Sequence, residues 1–205
     1  MQRRSFLLLV SGVLVCVLAL LVALVGIGRA IFIQHSDGSS IRWISNALPI
    51  PAARIGSRSI LYRDYLKQHD ALKHFLASPA AKSQQLNLTL NGDLEKNILE
   101  KLMAQEIMEE LAVQKSVTIT DADVRASFSQ VVAMASSTTP DVSVYLAENF
   151  GWNEEDFRQY VIRPALLEER LAKIEADEHQ GDQSALSAYM DERLKSKDAV
   201  RYLKF

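Results

Sequence analysis

The sequence predicts a mainly α-helical protein, in which an N-terminal transmembrane helix is followed by a helical domain with short β segments. Three observations carry this reading. Phe6 to Gly28 is a run of 23 consecutive residues without a charge. Beyond it, apolar residues recur at three- and four-residue spacing over several long stretches, the period of an amphipathic helix. Only two short segments, Ala52 to Ile60 and Ala199 to Phe205, have the character of strands.

At a rise of about 1.5 Å per residue the apolar run covers roughly 34 Å, slightly more than the ~30 Å hydrocarbon core of a bilayer. A soluble helix rarely needs an apolar surface all round over such a length. A cleaved signal is the rival, because Arg3 and Arg4 make a basic start and Gly28-Arg29-Ala30 offers small residues around a cut. The apolar core of such a signal is ordinarily only about 7 to 15 residues, so an uncleaved signal-anchor is preferred. Arg3 and Arg4 outweigh Arg29, which keeps the N-terminus in the cytoplasm and places the rest of the chain outside it. Residues 1–33 are therefore read as a cytoplasmic tail and membrane anchor, with the lipid bilayer as a partner. Cys16, the single cysteine, sits within the run as a small hydrophobic residue, so the exported part has no internal disulfide.

The chain has 23 Lys and Arg against 25 Asp and Glu. With Arg3, Arg4 and Arg29 set aside, the part beyond the anchor carries 20 basic and 25 acidic residues, a formal charge near −5. No basic stripe with interleaved aromatics is present, which excludes nucleic acid as the expected partner.

Residues 34–48 read as a linker, broken by Ser36-Asp37-Gly38-Ser39-Ser40. Within it Trp43 either lies at the level of the lipid headgroups or packs on the domain. Pro49-Ile50-Pro51 stiffens the exit. The domain proper, 49–176, opens with two short extended pieces around Gly56, too short to specify a sheet alone. Tyr62 to Phe75 is predicted helical from the spacing of Tyr62, Tyr65, Leu66, His69, Leu72 and Phe75. His69 and His74 are five residues apart and out of line, and are expected at the surface or an edge, not as metal ligands.

Asp93 to Gln114 is the strongest helix of the exported part, with Leu94, Ile98, Leu99, Leu102, Met103, Ile107 and Leu111 on one face and its Glu and Lys residues on a solvated one. Thr120 and Asp123 have the spacing of a capping box for a helix carrying Val124, Phe128, Val131 and Val132. After a Ser/Thr loop from Ala135 to Pro140, Asp141 to Asn149 is predicted as a short helix stopped by Gly151. Asn153 then caps a helix whose first turn holds Glu154, Glu155 and Asp156, and Pro164 is expected to split it. Residues 177–205 hold one more amphipathic segment, Ala185 to Leu194, and a closing strand, Ala199 to Phe205.

This order of segments resembles the N-terminal chaperone domain of the SurA/PrsA/PpiD group of exported folding factors. The residues that carry the likeness are the opening Ala52-Arg54-Ile55-Gly56 with Ser59-Ile60, the helix Leu94 to Leu111, the connection Val117 to Val124, and Asn149-Phe150-Gly151-Trp152-Asn153-Glu154-Glu155-Asp156-Phe157-Arg158 followed by Ile162 and Leu166-Leu167. Together they span about residues 49 to 176. The chain departs from the group at Leu61, where a Thr or Ser commonly caps the first helix, and in the absence of the glycine- and histidine-bearing signatures of a parvulin isomerase. Residues 177–205 are too few to enclose an isomerase pocket, so no catalytic role passes to any residue.

A direct search for enzyme motifs agrees: no nucleophile elbow, phosphate loop, dinucleotide fingerprint or zinc-protease helix is present. Asp121 and Asp123 resemble the start of a calcium loop, but Arg125 stands where a ligand is needed, and capping explains them. Asn87-Leu88-Thr89 is a formal glycosylation sequon. The resemblance implies ATP-independent binding of unfolded, exported polypeptides, with no cofactor, metal or catalytic residue. Met103, Met108, Met134 and Phe128 are candidate groove residues, since thioethers repack at low cost, although burial in a core is the commoner fate of Met and Phe. Tyr145, Trp152 and Tyr160 are candidate contacts that serve equally as packing anchors. The alternatives are a noncatalytic, membrane-tethered scaffold for one defined protein, including a membrane-protein partner, and an accessory subunit of a prolyl isomerase.

Overall fold

The computed structural model describes residues 25–85, 88–135 and 141–205. Among these no helix is long and apolar enough to cross a membrane. The run Phe6 to Gly28 lies outside the described residues as far as position 24, as do Arg3, Arg4 and Cys16; Asn87 of the sequon and most of the Ser/Thr loop before Asp141 lie outside them too.

The fold is mainly helical with one small sheet. A helical segment over 25–32 leads in. Helix α1 (Ser39–Ala47) is followed by strands β1 (Pro51–Ile55) and β2 (Arg58–Leu61), then α2 (Tyr62–Ala77), the short α3 (Pro79–Ser83) and the long α4 (Gly92–Gln114). Next come α5 (Asp121–Ala135), α6 (Val142–Phe150), the single-turn α7 (Glu154–Phe157), a π-helical turn (Arg158–Ile162), α8 (Arg163–Glu178), α9 (Ala185–Lys195) and β3 (Ala199–Arg201).

The expected extended pieces pair as an antiparallel hairpin, Ile55 opposite Arg58, turned by Gly56 at φ 54°, a left-handed conformation that suits a residue without Cβ. A hairpin alone is marginal in water. The third strand comes from the far end of the chain: β3 lies antiparallel on the other side of β1, with Ala53 opposite Arg201 and Ile55 opposite Ala199. The closing strand is shorter than expected, ending at Arg201, after which Tyr202 and Leu203 donate to the Ala52 carbonyl. Ala52 and Ala53, both fully buried, allow α4 to lie close against the sheet.

One correction, and one choice between alternatives, concern the segment before the sheet. The expected linker contains helix α1, which packs inward through Ile41 and Ser45, the Ser45 hydroxyl being satisfied by the Ile41 carbonyl at 2.7 Å. Trp43 does not pack on the domain; it is 73% exposed. A second correction is His69, which is buried at 5% exposure, whereas His74 is exposed as expected and bonds the Glu148 carbonyl at 2.9 Å.

The capping signals read from the sequence operate as expected. Thr120 and Asp123 exchange hydrogen bonds, the Asp123 carboxylate accepting from the Thr120 backbone N–H at 2.9 Å and the Thr120 hydroxyl from the Asp123 N–H at 3.1 Å. Asn153 and Asp156 form a second reciprocal box. Gly151 ends α6 at φ 65°. The division expected at Pro164 takes the form of the π turn: Pro164 has no N–H to give Tyr160, and the Arg163 N–H reaches back five residues to Arg158.

Helix α4 serves two hydrophobic clusters. Ile98, Leu99, Leu102, Met103 and Ile107 pack with the sheet, Tyr62, Tyr65 and Leu203. Met108, Leu111 and Ala112 pack with Val124 and Phe128 of α5, Ile162, and Leu167 and Leu171 of α8. The carboxylates expected on its solvated face tie the helix to other elements: Glu106 to Arg58, Glu110 to Arg193 at 2.8 Å, and Glu100 to Arg201. Leu99 is fully buried, so Leu99→Ala is expected to lower stability by about 2 to 5 kcal/mol in a denaturation series. Glu109→Ala, at a part-exposed side chain with no ion pair among the described residues, is expected to stay within about 0.5 kcal/mol of the parent.

Candidate apolar cleft

Two helical stripes leave a cleft of about 290 Å³ between them. Helix α2 presents Gln68, Ala71, Leu72 and Phe75, and α4 presents Leu94, Asn97, Ile98 and Lys101. Each set follows the three- and four-residue rhythm of one helix face, so each wall is fixed by one rigid element. Phe150 and Trp152, from the α6–α7 corner, complete the lining.

That corner is built by Gly151. Its left-handed backbone turns the chain between two successive aromatic residues, and a Cβ there would meet only the His74 ring at an ordinary 3.7 Å; the requirement is therefore conformational. Phe150 stacks on Phe75, with ring centres 5.2 Å apart and planes 4° from parallel. Trp152 stacks on Phe150 at 5.6 Å, and Tyr160 follows at 6.0 Å. The Lys67 ammonium lies 5.3 Å from the Tyr160 ring centre and also pairs with Asp156, which tethers α2 to the far end of this aromatic series.

The walls are mainly apolar, yet two buried donors among them have no partner among the described residues: Gln68 Nε2 and Trp152 Nε1. Buried N–H groups are ordinarily satisfied. Both donate, so the chemistry that completes them is a hydrogen-bond acceptor.

The sequence-derived candidates divide. Trp152 lines the cleft, Tyr160 extends its aromatic series half-buried, and Tyr145 stands edge-on to Phe150 at 6.3 Å while remaining 38% exposed. Met103 is fully buried in the sheet-side cluster, and Met108 and Phe128 are buried in the other. Met134, near the end of α5, is 73% exposed and does not line the cleft. Of the ten lining residues the sequence reading points only to Trp152; Gln68, Leu72, Phe75, Ile98 and Phe150 are among the nine it does not. The signal for Phe150 was available, two aromatics flanking a helix-stopping glycine.

Away from the cleft, Asp37, His69 and Asp70 bring three potential ligand atoms within 4.8 Å of one another. Their charge is already met. Arg42 grips both oxygens of Asp70, and Lys73 bonds Asp37 at 2.9 Å. The Lys73 hydrogen bond, together with nearby positive charge, holds the Asp37 carboxyl below its ordinary value, and burial pushes the Tyr62 and Tyr65 phenols upward. The arrangement is that of an ion-pair network between the segment before α1, α1 itself and α2.

A family model described as the SurA-like N-terminal domain matches residues 1–171. No curated protein and no solved structure matches the chain.

Asn153 holds the corner that carries Trp152, its side chain accepting from the Asp156 N–H at 2.9 Å. Asn153→Ala is expected to cost about 1 kcal/mol of stability. Amide exchange in residues 153–157 should rise more than in α4.

Proposed function

The chain belongs to the SurA-like N-terminal domain family, a chaperone-type family, and from this we propose that it is a membrane-anchored, ATP-independent holder of unfolded, exported polypeptides, gripped in the cleft between α2 and α4. The observation that carries the proposal is the pairing of apolar walls with the two unpartnered donors of Gln68 and Trp152. Every residue of an unfolded chain supplies a carbonyl acceptor, and most hydrophobic segments supply side chains for the walls. Recognition on those terms selects exposed, unfolded backbone and not a particular sequence. The stacked aromatics add a stiff apolar surface at small entropic cost.

Anchoring rests on the apolar run Phe6 to Gly28, and the extracytoplasmic placement on Arg3 and Arg4 before it. The reading includes no catalysis: rotation about the peptide bond faces a barrier of about 18 to 20 kcal/mol, and lowering it takes an organised pocket around the proline.

The full-length chain in lipid vesicles is expected to suppress light scattering by two unrelated aggregating proteins without nucleotide, and to leave a proline-limited refolding reaction unchanged. Leu72→Asp and Leu94→Asp, both partly exposed in the cleft, should weaken holding roughly tenfold, the equivalent of about 1.4 kcal/mol. Val113→Asp, on a 70% exposed side chain outside the cleft, should not. Holding of neither client would overturn the proposal in favour of a single-partner scaffold; accelerated refolding would overturn its noncatalytic half.

A further inference from the structure

The helical segment over 25–32 does not end in a slack tether. Ile31 is 1% exposed, and Ile27, Ala30 and Phe32 pack beside it against the sheet-side cluster. The chain then turns back at once. Ile33 and Gln34 both donate to the Arg29 carbonyl, Ser36 donates to that of Ala30 at 2.9 Å, and His35 takes the left-handed conformation at φ 46°. The Tyr62 hydroxyl fixes the turn by donating to the Ser36 carbonyl. Ser36 is therefore held next to Ala30, two residues beyond the end of the apolar run, and α1 begins three residues later. Residues 204–205 return to the same place: the Lys204 N–H donates to the Phe32 carbonyl at 3.1 Å, and the Phe205 ring lies 4.5 Å from that of His35.

The exposed side chains of this turn, of the chain end that returns to it and of the helix that follows it have a common character. Ile33 is 53% exposed, Trp43 73% and Phe205 44%, and Arg29 and Lys204 are exposed beside them in the chain. Around Trp43 the outer face of α1 consists of Ser39, Ser40, Asn46 and Ala47, without a charge. The single charge of α1, Arg42, is turned to Asp70 and to the Asp37 carbonyl. Trp43 stands about one helical turn, roughly 6 Å along the axis, from the start of α1.

We propose that Ile33, Trp43 and Phe205, with Arg29 and Lys204, form a collar that seats the domain on the headgroup layer of the bilayer that the apolar run enters. The occupant is a lipid surface because Arg29 and Ile33 directly follow a bilayer-length apolar run and Lys204 is bonded beside them, because amphipathic aromatics partition to the headgroup level, and because Arg and Lys place their stems along acyl chains and their charges in the headgroups. The proposal rests on the anchoring reading.

The test is fluorescence of the full-length chain reconstituted in phosphatidylcholine vesicles, with and without lipids brominated at shallow acyl positions. The chain has two tryptophans, Trp43 and Trp152. The Trp152→Phe variant isolates Trp43, and the difference between the parent and Trp43→Phe isolates it again without altering the cleft. Trp43 is expected to lose most of its emission to the brominated lipid and little to aqueous iodide. Quenching by iodide alone overturns the collar. Shielding from both quenchers, accompanied by crosslinking between copies, overturns it in favour of a second copy. Flotation of the same vesicles separates the two readings: a chain that fails to float removes the anchor and the collar together, whereas a floating chain with Trp43 open to iodide removes the collar alone.

Discussion

One helix sharing its apolar face between two hydrophobic clusters is the constraint on which the structure depends. Helix α4 buries Leu99, Met103 and Ile107 against the sheet and Met108, Leu111 and Ala112 against α5 and α8, so neither cluster has a wall without it. Twenty-three residues at about 1.5 Å each give it roughly 34 Å, long enough to span both. The glutamates on its other side reach β2 and, from the far end of the chain, α9 and β3. Each of these part-exposed pairs contributes at most about 1 kcal/mol. Their role is to fix register, while burial supplies the stability.

Local chemistry was legible in the sequence, and nonlocal pairing was not. Thr120 with Asp123, Asn153 with Asp156 and Gly151 each act within a few residues, and each forms as its spacing requires. The strand at Ala199 could be read, but not that it would lie against Ala53, because that partnership depends on loop closure over most of the chain. Helix α1 was hidden for a related reason. Ser-Ser-Ile-Arg-Trp-Ile-Ser-Asn-Ala has few strong helix formers, and its helix is held by burial of Ile41 and by the Arg42–Asp70 pair, partners supplied from outside the segment. His69 belongs to the same case: nothing local states that the segment before α1 and α4 will cover it.

The cleft was half legible. Leu72 and Phe75 appeared on the apolar face of their helix, but a stripe looks the same whether a neighbour fills it or leaves a gap. What distinguishes the two is the α6–α7 corner, which fills one part of the space between α2 and α4 with Phe150 and Trp152 and leaves the remainder open. Met103, Met108 and Phe128 went the other way, into the clusters that α4 organises. If the cleft adapts to what it holds, it does so through its open space and not through repacking thioethers.

Helix α2 joins the cleft to the turn after the leading helix. One of its stripes, Tyr62, Tyr65 and His69, meets the turn after the leading helix, through the Tyr62 bond to Ser36, the edge-on contact of Tyr65 with His35 and the ring of Phe205. The adjoining stripe, Gln68, Leu72 and Phe75, is a wall of the cleft. A helix interior transmits position rigidly over these few turns, since its side chains are packed and its backbone bonds are satisfied along its length. The cleft is thereby fixed in place relative to the end of the apolar run at Gly28. A polypeptide held there would be held at a set distance from that point, which a domain on a flexible linker could not ensure.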